Sequence, residues 1–226
     1  IYAAGNGFQT SDDNGFGYSV SISGDGTTIG VGQPFTNSYY DNDIGVVAIY
    51  RFNSDANCGQ GGWSVIGGPR LDDGRWIGTY DVDFFYVNYA ANQKIGLDIV
   101  LNEDGTTVAI GMTGANKPQS SETELGLVGI FDFQSDANEN AGDWRMRGYN
   151  SEGATFHSSR GIAGDDEDDQ VGQFITMNQD GSIIAVGELH GNWEDGIGDP
   201  VGNTAVAVYQ WNPTDVKWNL MGDKIA

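Results

Sequence analysis

Carboxylates set close together are the residues of this sequence best suited to chemistry. Asp41-Asn42-Asp43 form one group, Glu122 and Glu124 a second, and Glu194, Asp195 and Asp199 a third. Hard oxygen ligands at such spacing suit Ca²⁺, which takes about six to eight oxygens from carboxylates, carbonyls and water. The sequence therefore nominates Asp41, Asp43, Glu194, Asp195 and Asp199 as metal ligands and Ca²⁺ as the cofactor. Asp, Asn and Gly are also ordinary turn residues that keep a surface soluble. Both readings stand on sequence alone. Trp193 sits within the third group and is the candidate exposed ring for stacking on a ligand. The run Asp165-Asp166-Glu167-Asp168-Asp169 reads first as a solvated loop, because five like charges repel.

Nucleophilic and metal-assisted catalysis find little footing. His157 and His190 stand in no metal-ligand spacing, and the lone Cys58 has no partner. No nucleophile-elbow, zinc-protease, phosphate-loop or dinucleotide motif appears in a supporting context. The chain reads as a non-enzyme. Its 226 residues include 32 acidic and 10 basic side chains, a formal charge of −22. That balance argues against nucleic acid and anionic membrane as partners, since both need clustered Lys and Arg. No apolar run is long enough to span a bilayer. No Asn-x-Ser/Thr acceptor is present, Asn212-Pro213-Thr214 being blocked by proline. Aspartate outnumbers glutamate 24 to 8, which fits a salty, calcium-containing exterior. Trp76, Tyr80, Phe84, Phe85, Tyr86 and Tyr89 crowd one stretch. Packing explains so dense a cluster better than exposure does.

The elements that must position these groups come from a repeat. Phe16 to Gly32, Ile95 to Gly111 and Val171 to Gly187 align, with turn glycines Gly26, Gly105 and Gly181 spaced 79 and 76 residues apart. Asp-Gly between two alternating β-rich segments is a strong hairpin signal, because Gly supplies the positive φ of the turn. A polar loop of 10 to 14 residues follows in each unit. Third strands are predicted over 45–52, 126–133 and 202–211. Fourth strands, each led by a Trp, are predicted over 63–71, 144–150 and 218–225. Near-continuous apolar runs such as Val46 to Tyr50 predict strands covered on both faces. Gly30 and Gly32 predict close approach of neighbouring sheets. Four antiparallel strands per unit describe a β-propeller blade.

The order Phe16-Gly17, Asp25-Gly26-Thr27 and Gly32-Gln33-Pro34 resembles the FG-GAP repeats of integrin α-type β-propellers. A variant in large algal and bacterial surface proteins is more similar still. Its pattern is carried by Gly45, Val47, Ile49, Tyr50, Trp63 and Gly67 in unit one. Unit two carries it at Gly126, Val128, Ile130, Phe131, Trp144 and Gly148. Unit three has Gly202, Val206, Val208, Tyr209, Trp218 and Gly222. The resemblance implies a propeller fold and extracellular adhesion, ligand-binding or scaffold roles, often calcium-stabilised. The integrin-type calcium loop itself is absent, since the hairpins offer only Asp25, Glu103 with Asp104, and Asp180.

The sequence thus predicts an all-β chain of three blades, 1–71, 95–150 and 171–226, joined by segments 72–94 and 151–170. Three blades are fewer than the usual four to eight. A portion of a larger repeat protein is the favoured explanation, the ending 221–226 marking where a further unit would begin. The predicted function is an extracellular or cell-surface module for adhesion or ligand binding. Its partner would be a protein or glycan ligand, or copies of itself. The alternative is a structural subunit of a filament, coat or wall.

Overall fold

The computed structural model describes residues 15–37, 43–67, 92–115, 125–136, 142–147, 161–164, 169–194 and 200–225, with backbone alone at 189–194 and 200–204. The strands come in sets of four. β1 (Ser19–Ile22), β2 (Thr28–Gln33), β3 (Val46–Asn53) and β4 (Gly62–Val65) make the first sheet in that order. β5 (Ile99–Leu101), β6 (Thr107–Met112), β7 (Leu127–Gln134) and β8 (Asp143–Met146) make the second. There β9 (Ile162–Ala163) pairs with β7 on the same edge as β8. β10 (Phe174–Met177), β11 (Ile183–Glu194), β12 (Pro200–Asn212) and β13 (Lys217–Leu220) make the third. Every strand pair is antiparallel. The chain is all-β, as the repeat predicts.

Each first hairpin closes on the predicted turn. Gly26, Gly105 and Gly181 take φ of 72°, 66° and 72°, a region open to glycine and costly for other residues. The aspartate one residue earlier locks the turn. Asp25 accepts from the Thr27 N–H at 2.9 Å, Asp104 from Thr106 at 3.0 Å, and Asp180 from Ser182 at 2.8 Å. These are Asx turns, in which the side chain imitates a backbone acceptor. They account for the Asp-Gly pairs without any bound ion.

The sheets stack face to face. One core joins Val47 and Ile49 of the first sheet to Ile99, Ile110, Phe131 and Trp144 of the second. A second core joins Ala109, Val128 and Ile130 to Val171, Ile175, Val186 and Trp218 of the third. Alternation along β6 sends Val108 and Ile110 one way and Ala109 the other, so the middle sheet is buried on both faces. Glycine sets the approach distance. A Cβ on Gly32 would collide with the Gly96 carbonyl, and one on Gly111 with the Gly172 carbonyl.

Three differences from the sequence reading have physical causes. The fourth strands stop after Val65, Met146 and Leu220, short of the predicted ends. Gly67 and Gly222 take φ of 71° and 73° there and break the strand, and in the third unit the chain returns to pair Ile225 with Val206. In the third unit residues 189–194, read as loop from sequence, are strand. β11 and β12 keep pairing through Glu194 opposite Pro200, across a register shift between Glu188 and Gly191. Ladder hydrogen bonds thus carry a stretch whose Gly and Asn content reads as loop. Asp169, at the end of the acidic run, is buried rather than solvated.

Candidate functional site

The first strands β1, β5 and β10 converge on a cleft of about 330 Å³. Tyr18 and Ser19 line it from the first sheet, Leu97 and Asp98 from the second, and Gln173 and Phe174 from the third. Tyr18 and Phe174 both present largely exposed rings. Tyr18 is steadied by an edge-on contact with Phe35, centroids 5.3 Å apart.

Asp98 ties the three sheets together at this point. Its Oδ1 accepts from the Ser19 hydroxyl at 3.2 Å and from the Ile99 N–H at 2.9 Å. Its Oδ2 accepts from the Ile175 N–H of the third sheet at 2.7 Å. An ionised carboxylate has about four acceptor sites, so one remains for a donor entering the cleft. Burial pushes the Asp98 carboxyl above the ordinary value of 3.8, while the bonds from Ile175, Ile99 and Ser19 pull the other way. Equivalent positions explain the geometry. Ser19 and Asp98 occupy the same place in successive units, and each accepts the N–H of the next sheet's first strand, Ile99 at 3.0 Å and Ile175 at 2.7 Å. Phe174 stands at that place in the third unit and has no acceptor to offer.

Asp43 is described with φ of 53°; its N–H donates to the Asn37 side chain at 2.8 Å and its carbonyl accepts from Lys94 at 2.9 Å. Its backbone therefore staples the first sheet to the entry of the second. The backbone of Trp193 lies opposite Val201 and that of Glu194 opposite Pro200, at the far end of the long hairpin. Asp41, Asp195 and Asp199 lie outside the described residues, as do Glu122, Glu124, residues 165–168 and the aromatic stretch 76–89. Among the described residues no three His, Cys, Asp or Glu side chains come together as a metal site. Cys58 is exposed in a tight turn at φ of 59°. No helix among the described residues is long and apolar enough to cross a membrane.

Sequence reasoning missed Asp98. Its signal was an acid on a first strand, at the position where the other two units carry Ser19 and Phe174.

The fold and cleft define an all-β protein of stacked, repeated antiparallel sheets. No protein-family model and no curated protein matches the chain. Among solved structures, the crystal structure of a functionally unknown protein from Desulfotomaculum acetoxidans DSM 771 is similar at a TM-score of 0.38 and 12% identity. The match covers 90% of this chain and 54% of that one, so this chain spans about half its length. A likeness at that level carries no functional argument.

Proposed function

We propose that the chain is a non-catalytic binding module of an extracellular or cell-surface repeat protein, and that its three sheets are blades of the propeller type. The cleft between the first strands carries this reading. Two exposed rings flank a carboxylate with one acceptor site to spare and the amide of Gln173. Aromatic faces that cover C–H surfaces, set beside a few convergent polar groups, suit a hydroxyl-rich ligand such as a glycan. Asp98 is held by three donors, and its hydroxyl neighbour Ser19 is itself committed to the Ile99 N–H at 3.0 Å, an arrangement of fixed polar groups that supports recognition. Calcium held by the acidic groups around Asp41, Asp43, Glu194, Asp195 and Asp199 belongs to the same proposal, as an ion that orders the loops.

The test is a glycan array probed with the wild type, Tyr18→Ala and Asp98→Asn, in millimolar Ca²⁺ and again in EDTA. A glycan held by the wild type and lost by both variants is the expected result. Binding that survives both substitutions, or no binding to any glycan, would overturn the cleft reading. Loss in EDTA would place calcium in the binding state.

A further inference from the structure

The contact between the first and second sheets is repeated between the second and third at most positions, the Trp144 indole bond excepted, since the buried Trp218 indole N–H finds no acceptor among the described residues. The same contact is left half-made at each end of the stack. At the incoming face, Ile95, Ile99 and Trp144 of the second sheet are 2%, 2% and 0% exposed, and Val171, Ile175 and Trp218 of the third 0%, 8% and 8%. Their counterparts in the first sheet, Phe16, Val20 and Trp63, are 62%, 66% and 37% exposed. The outgoing face behaves alike. Val47 and Val128, opposite Gly32 and Gly111, are fully buried, whereas Val206, opposite Gly187, is 43% exposed.

Hydrogen bonds and clefts follow the same rule. The Gly24 N–H donates to the Glu103 carbonyl at 2.8 Å, and the Glu103 N–H to the Gln179 carbonyl at 3.0 Å, a chain of bonds across the three turns. The Trp144 indole donates to the Ile66 carbonyl at 3.2 Å and lies against Gly67. The equivalent seat at Met221 and Gly222 has nothing within 4 Å of a Cβ built on Gly222. Gly17 and Gly26 share the positive φ of Gly96 and Gly105, yet they too face open space where those two press on the preceding sheet.

We propose that two copies of this chain join head to tail, the first sheet of each seating on the third sheet of the other, to close a ring of six sheets. This rests on reading the sheets as blades. Rings of this kind close with about four to eight sheets, and two sets of three make six. The occupant we assign to each open face is the opposite face of a second copy, because it offers the contacts already used inside the chain. Trp63 of one copy fills the seat at Gly222 of the other, and Val20 and Phe16 bury against Val206. A charge of −22 on each copy opposes the union, so it strengthens with salt.

Sedimentation velocity of the chain from low to high micromolar concentration, at low and high salt, is the test. A species of twice the 24.2 kDa chain mass is expected. Val20→Asp and Val206→Asp, both at exposed positions, should each weaken dimerisation by about 100-fold or more while leaving the circular dichroism unchanged. Mixing the two restores a two-chain species, because the sound outgoing face of one meets the sound incoming face of the other. A chain that stays monomeric throughout, or a dimer broken by only one of the two changes, overturns the proposal. Failure on the glycan array with the dimer intact would instead remove the cleft reading alone.

Discussion

Replacing Asp98 gives a worked test of how the three sheets are held. In Asp98→Ala the Ile99 N–H keeps its bond to the Ser19 hydroxyl at 3.0 Å, so it is not stranded. The Ile175 N–H loses its 2.7 Å acceptor, and that donor is the main casualty. A buried donor left unpaired costs about 1–3 kcal/mol. Removing a half-buried carboxylate returns part of this by ending its desolvation, so a net loss of about 1–2 kcal/mol is expected at neutral pH. Asp98→Asn keeps an oxygen for Ile175 and can turn its amide toward the Ser19 hydroxyl, for a loss below about 1 kcal/mol. The pH dependence has a definite sign. The folded carboxyl titrates above its unfolded value of 3.8, so the folded state binds the proton more tightly between the two. Stability from this group is present below 3.8 and falls as pH rises through the raised value. The asparagine variant lacks that fall, so it gains on the wild type between acid and neutral pH. Urea unfolding followed by tryptophan fluorescence, at a series of pH values from acid to neutral, measures both effects. Equal stability of the alanine variant and the wild type at neutral pH, or an asparagine variant that loses ground as pH rises, would refute the reasoning.

Other perturbations bear on the stacking and the turns. Gly32→Ala or Gly111→Ala drives a methyl into a carbonyl of the next sheet and should cost about 2–4 kcal/mol in urea unfolding, whereas Gly187→Ala, whose nearest neighbour is the Phe174 Cβ at 3.3 Å, should cost under about 1 kcal/mol at concentrations where the chain is monomeric. Arg147 bonds Asp132 at 2.6 Å and Thr107 at 2.8 Å, reaches the Gly181 carbonyl, and lies over the Trp218 ring. Arg147→Met should cost about 2–4 kcal/mol in the same assay, by leaving Asp132 with the Thr107 hydroxyl in place of its cation and unclamping the second sheet from the third. Hydrogen bonds from Ser23, Thr106 and Ser182 hold the Asp25, Asp104 and Asp180 carboxyls below the usual value of 3.8. Their contribution is full above 3.8 and disappears as pH falls through the lowered values, so Asp104→Ala should destabilise at neutral pH and match the wild type in strong acid. Calcium at 100 times its dissociation constant should add about 2.7 kcal/mol to unfolding, seen as a midpoint shift against EDTA that Mg²⁺ does not reproduce.

The repeat, the Asp-Gly turns and the third strands were legible because each rests on local chemistry. Positive φ at Gly26, Gly105 and Gly181 and the continuous apolar burial along β6 and most of β7 need only a few neighbouring residues. The glycine approach was legible for the same reason, at Gly32. What sequence could not show depends on neighbours across sheets. Trp63, Trp144 and Trp218 look equivalent in sequence, each facing an aromatic residue across the strand pair at 5.3–5.5 Å. Their burial differs because only Trp144 and Trp218 have a preceding sheet. The extension of β11 and β12 past residue 188 was read as loop, since Gly191 and Asn192 are poor strand formers. Backbone pairing with 200–205 overrides that preference. Asp98 escaped notice because its significance lies in donors from three units that come together only in the stack. Of the acidic ligand candidates, Asp43 emerges with a structural backbone role, while Asp41, Asp195 and Asp199 lie outside the described residues.

The central claim is that one sheet-to-sheet contact, made twice within the chain, is left open at both ends of the stack. Amide hydrogen exchange at rising protein concentration tests it most directly, because it reports each face separately. Protection should grow over residues 16–22 and 205–222 as copies meet and stay constant over 95–112, which already lie between two sheets. Unchanged exchange at both ends, or protection gained on the middle sheet instead, would contradict it.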